Sequence, residues 1–123
     1  MISLMEITVY AVILSGGNAA FLCHGNDHEH VVCSNGLQAS VTETGKIAFS
    51  NNVIVDRNKG FPIFSDGTKS WLDSTGSVSF STGVHARRMT PDYFKFSTGM
   101  ECRTQLPTVV ECVMVPQRPE HWP

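Results

Sequence analysis

The sequence predicts an all-β fold: an antiparallel meander of about five 16-residue β-hairpin repeats, closed or rolled into a barrel-like or two-layer structure. Three observations carry that expectation. A five-residue phrase recurs as Cys33-Ser34-Asn35-Gly36-Leu37, Phe49-Ser50-Asn51-Asn52-Val53, Phe64-Ser65-Asp66-Gly67-Thr68, Phe80-Ser81-Thr82-Gly83-Val84 and Phe96-Ser97-Thr98-Gly99-Met100. Its first residues lie 16, 15, 16 and 16 positions apart, which marks an internal repeat. The residues flanking each phrase match in character across a three-residue loop. Charged residues form only 16% of the chain, against roughly 25% in an average globular protein, and Ser, Thr, Asn and Gly stand in their place.

The loop length follows from the strand period of two. With a three-residue loop Phe49 faces Val53, Ile47 faces Val55, Phe80 faces Val84, Val78 faces Ala86, Phe96 faces Met100 and Phe94 faces Cys102, and every pair is apolar. A two-residue loop would set Phe80 against His85 and Phe96 against Glu101, because a one-residue slip inverts every side chain. The loop is therefore a type I turn closed by a left-handed residue, Gly in four repeats and Asn52 in the second. In the third repeat the matching weakens, to Phe64 with Thr68 and Pro62 with Ser70.

In chain order, residues 1–30 read as an N-terminal hairpin followed by a His-rich loop. Residues 7–14 are apolar or β-branched, residues 15–18 are a turn cluster, and 19–23 return. Residues 31–104 are the hairpin repeats, with second turns at Glu43-Thr44-Gly45, Asn58-Lys59-Gly60, Ser74-Thr75-Gly76 and Thr90-Pro91-Asp92. Residues 105–123 supply one more strand and a Pro-rich tail ending in Trp122-Pro123. All of this makes one domain, 1–123, with ten repeat strands, two before them and one after; no stretch shows helical spacing. One face of the meander is apolar and has to be covered, so closure into a roll is favoured over a sandwich or an open sheet.

The net charge of −2 gives no overall attraction to nucleic acid or an anionic membrane. The apolar start lacks a preceding Lys or Arg and is interrupted by Glu6, which argues against an export signal, and residues 15–18 break it short of the ~20 residues of a membrane span.

Three groups of residues could carry chemistry. Cys23, His24, His28, His30 and Cys33 lie within eleven residues and include sulfur and imidazole ligands of the kind zinc takes, although the spacing matches no finger pattern. A solvated polar loop is the plainer alternative, so no cofactor is expected apart from zinc there. The four Cys also form two pairs of equal spacing, Cys23 with Cys33 and Cys102 with Cys112, each able to tie a terminal strand to the meander in an oxidising compartment or to remain as buried thiols.

Arg57, Arg87, Arg88 and Arg103 fall seven or eight residues after their repeat anchors, and with Lys59 would form a basic rim at one end of the sheet. Ordinary solvation, with pairing to Asp56 and Asp73, is the alternative. Trp71, beside Lys69, is expected to point outward as a contact residue for a protein or sugar, or to pack under the terminal tail. Few aromatics interleave with the basic residues, so nucleic acid is not the expected partner.

No nucleophile or paired-carboxylate constellation emerges, and the chain is expected not to be an enzyme. The expectation is a non-enzymatic structural or protein-interaction module, homo- or hetero-oligomeric and without membrane insertion. A phage virion protein, decorating or tail-associated, or an extracellular protein suits it better than a cytoplasmic one. The alternatives are a glycan- or ligand-binding β-roll and a zinc-dependent site in residues 23–33.

Overall fold

The computed structural model describes residues 3–27, 30–58, 60–72 and 76–115. One helix, α1 (Leu4–Ser15), is followed by twelve strands: β1 (Phe21–Asp27), β2 (His30–Cys33), β3 (Gln38–Val41), β4 (Ile47–Phe49), β5 (Ile54–Asp56), β6 (Ile63–Phe64), β7 (Ser70–Leu72), β8 (Val78–Phe80), β9 (His85–Thr90), β10 (Tyr93–Phe96), β11 (Met100–Leu106) and β12 (Val109–Met114). All pair antiparallel in one sheet of order β6-β5-β4-β3-β2-β1-β12-β11-β10-β9-β8-β7. Each strand pairs with its neighbours in the chain, with one exception. The first and last strands pair with each other, and the ladder breaks between β6 and β7. The result is a nearly closed barrel, its break inside the sequence.

The N-terminal hairpin expected over residues 7–23 is corrected to a helix and a strand. Leu4–Ser15 is helical, and Met5, Ile7, Thr8, Val9, Tyr10, Ala11, Val12 and Ile13 are all buried. A helix buried on every side has no polar face, so it shows none of the periodicity that reveals an amphipathic helix. Its β-branched residues also favour a strand locally, and burial overrides that preference. The ends carry ordinary helix signals: Ser3 Oγ accepts the Glu6 amide at 3.0 Å, and Gly16 closes the helix at φ 88°. Thr8 Oγ1 donates to the Leu4 carbonyl at 2.8 Å, which satisfies a buried hydroxyl.

The sheet wraps this helix. On one side α1 packs on β1, β11 and β12; on another the Tyr10 ring meets Phe64 of β6 edge-on, centroids 5.7 Å apart. Helix and sheet therefore share one core, in which Ile47, Val55, Phe64, Phe96, Met100 and Val110 are among the most deeply buried side chains. The loop expected at residues 24–30 is also shorter than predicted, because β1 runs on to Asp27 and β2 starts at His30.

The repeat phrase folds as its spacing requires. In four repeats the anchor amide bonds the carbonyl of the residue after the loop, as in Phe49 to Val53 at 2.8 Å and Phe80 to Val84 at 2.9 Å. The fourth residue of every phrase has positive φ, Asn52 at 72° included. The serine has a further task that local reasoning does not show. Ser34, Ser50, Ser65, Ser81 and Ser97 each accept, through Oγ, the amide of Leu22, Gln38, Ile54, Lys69 and His85 at 2.8–3.0 Å. Each serine amide donates back to the same residue's carbonyl. One side chain thus clamps each hairpin to the one before it.

The cysteines pair as disulfides, Cys23 with Cys33 and Cys102 with Cys112. Each joins directly opposed residues of neighbouring strands, β1 to β2 and β11 to β12. Closing a loop of this length stabilises by about 3 kcal/mol through the unfolded chain.

Candidate functional site at the seam of the barrel

The break between β6 and β7 has a simple chemical origin. Across the third phrase the Phe64 amide still bonds the Thr68 carbonyl at 3.1 Å. The next ladder position belongs to Pro62, which has no N–H to donate. Ser70 instead sends its hydroxyl to the Pro62 carbonyl at 2.9 Å, and beyond this point the two strands part. Phe64 and Phe80 meet edge-on across the seam, centroids 6.1 Å apart, and both are buried.

Where the strands part, a cavity of about 440 Å³ opens beside the N-terminal half of α1. Its walls are apolar: Val9, Tyr10, Phe61, Val78, Phe80, Ala86 and Phe94. Three charged residues, Glu6, Arg57 and Arg88, share the lining. Glu6 Oε2 accepts from Tyr10 Oη at 2.6 Å and from Arg57 Nε, in an ion pair largely shielded from water. Burial, reinforced by the Glu6 carboxylate, raises the Tyr10 phenol far above its usual range, so it stays a donor. The hydrogen bond to Glu6 likewise raises the already high Arg57 pKa. A second, smaller cavity of about 330 Å³ lies at the other end of the helix, beside Leu14, Ala19 and Leu37.

The predicted basic rim separates into two sets. Arg57 and Arg88 lie eight residues after their anchors and both line the cavity, Arg57 half-buried and Arg88 exposed at its edge. Arg87, half-buried, and Arg103, exposed, lie seven after theirs and take no part in the cavity lining. Arg103 stacks over Tyr93, its guanidinium carbon 3.9 Å from the ring centroid, and sits 3.7 Å from Glu101, which also accepts the Tyr93 hydroxyl at 2.6 Å. Half-burial and then Glu101 raise the Tyr93 pKa. Asp56 pairs with Lys46 at 3.9 Å, not with an arginine. Lys59 and Asp73 lie outside the described residues.

Trp71 is on β7, opposite Ser79, and 49% exposed. Lys69 beside it is held by its main chain to Ser81, while its side chain is exposed. Both stand at the seam. In the Cys- and His-rich stretch, Cys23 and Cys33 are bonded to each other and in that state are not thiolate ligands. His24 and His30 are exposed on β1 and β2, and His28 lies outside the described residues. Among the described residues no three His, Cys, Asp or Glu side chains gather around one point.

Sequence reasoning missed the cavity and its Glu6–Arg57–Tyr10 network, since both depend on the buried helix. The signal that could have found them is Ser3 followed three residues later by Glu6, the spacing of a helix-capping box. Compared with protein-family models, curated proteins and solved structures, the chain matches none of them.

Proposed function

We propose that the protein is a non-enzymatic structural and interaction module that binds its partner along the seam. One observation carries this reading. Of ten large apolar side chains that are exposed among the described residues, five (Ile54, Phe61, Ile63, Trp71 and Leu72) belong to β5, β6, β7 or the segment before β6. Exposed apolar groups concentrated beside two unpaired strand edges mark an association surface. The repeated serines support a non-catalytic reading, because each is used to clamp main chain.

Two disulfides in a chain of this size suit an oxidising setting. An extracellular protein, or a decorating or tail-associated component of a phage virion, fits that setting. A zinc site in residues 23–33 would first need the Cys23–Cys33 bond reduced. Light scattering across a concentration series tests the association: the chain self-associates, and Ile63→Lys with Trp71→Lys returns it to monomer without lowering its melting temperature. A wild-type monomer at every concentration contradicts self-association through the seam.

A second reading, a ligand-binding β-roll, is favoured by the cavity behind the seam. Its volume falls among small-molecule sites, roughly 300–1,000 Å³, and its walls are mostly apolar with a few polar groups among them.

A further inference from the structure

The proposal here rests on the ligand-binding reading of the seam cavity and names the class of ligand. The charges around the cavity do not balance among themselves. Glu6 is committed to Arg57 and Tyr10, so that pair contributes no net charge. Arg88 has no ion pair or hydrogen bond with any described residue. It stands opposite Phe94 in the β9–β10 register, on the face that buries Ala86 to 3% exposure, and it lines the cavity with its head still reaching solvent.

An uncommitted guanidinium at the edge of an apolar chamber selects an anion, and its planar fork matches a carboxylate with two parallel hydrogen bonds. A phosphate headgroup, carrying up to two charges, would call for a second free cation, and Arg57 is already taken. Of the other polar side chains in the lining, Glu6, Tyr10 and Arg57 are bonded to one another and Ser3 caps the helix, while Val9, Val78, Phe80, Ala86 and Phe94 are apolar, so the rest of the ligand is hydrocarbon. We propose that the cavity binds a monocarboxylate with a single apolar chain, the carboxylate on Arg88 and the chain between α1 and strands β8 to β10.

Calorimetric titration with decanoate and with decanol, its uncharged counterpart, tests this. Decanoate binds saturably and at least tenfold tighter than decanol. Arg88→Gln brings decanoate down to the level of decanol and leaves decanol unchanged, while Ala86→Leu, which fills the chamber, weakens both. Equal affinity of the wild-type protein for decanoate and decanol overturns the carboxylate assignment and leaves a cavity that binds apolar molecules. Binding of neither probe overturns the ligand-binding reading together with the proposal. Decanoate binding unchanged in both variants places it elsewhere on the molecule and overturns the proposal as well.

Discussion

The two places where this barrel had to be closed are built in opposite ways. Where the first and last strands meet, β1, β12 and β11 are six or seven residues long, and disulfides tie β1 to β2 and β11 to β12. At the seam β6 has two residues and β7 three, Pro62 removes a donor, and one serine hydroxyl spans the gap. The first and last strands of the described sheet are thus each held to a neighbour by a disulfide as well as by their ladder. The opening has moved to the middle of the sequence, where it exposes aromatic and aliphatic side chains and leads to a cavity. The covalent ties thus lie on one side of the sheet and the break on the other, and the proposed recognition surface is at the break.

Removing the covalent ties tests the strong side first. Replacing all four cysteines by Ala lowers the unfolding free energy by about 6 kcal/mol, at about 3 kcal/mol per loop. That is comparable to the whole stability of a small domain. A urea midpoint that falls by a small fraction would show that the paired strands need no staples.

Alkaline titration probes the seam side next. The unfolded chain releases the Tyr10 proton near pH 10, whereas the folded chain holds it to higher pH. Above pH 10 the unfolded state therefore binds fewer protons, and stability falls as pH rises. Tyr93 acts with the same sign. Urea midpoints at pH 9 and 11 show the loss, and Tyr10→Phe reduces it. The same drop in wild type and in Tyr10→Phe would remove Tyr10 as the cause.

The serine clamps allow a direct contrast between the two sides. Ser65→Ala, beside the seam, frees the Ile54 amide and costs ~1–2 kcal/mol. Ser34→Ala frees Leu22 but stands next to the Cys23–Cys33 bond, so its cost is smaller. Equal losses in urea denaturation would mean that the disulfide does not share the clamp's work.

The smallest expected effect comes from restoring the missing donor. Pro62→Val lets the ladder extend across the seam and adds about 1 kcal/mol, partly offset by a more flexible unfolded chain. It also slows access to the cavity. A lower urea midpoint would show that something other than the absent amide keeps β6 and β7 apart.

The repeats were legible because their information is local: a loop of three, a left-handed fourth position and apolar partners two residues apart. The weakened third repeat, with Pro62 facing Ser70, already lay in the sequence at the place where the sheet opens. The helix was hidden for a physical reason, since an element enclosed on all sides carries no polar stripe, and Val9, Val12 and Ile13 suit a strand equally well. The cavity was hidden with it. Closure of β1 on β12 is a contact between distant segments, which no local pattern specifies. Trp71 is legible as an outward residue from alternation alone, whereas distance from the anchors groups the arginines without the one-residue difference that brings Arg57 and Arg88, but not Arg87 and Arg103, to the cavity.

Native-state hydrogen exchange tests the central contrast most directly. Amides of β7 and of its partner β8 exchange through local openings at low denaturant, while those of β1, β11 and β12 exchange only with global unfolding. A single opening free energy shared by β7 and β12 would contradict the account, because the seam would then be as firmly closed as the stapled side.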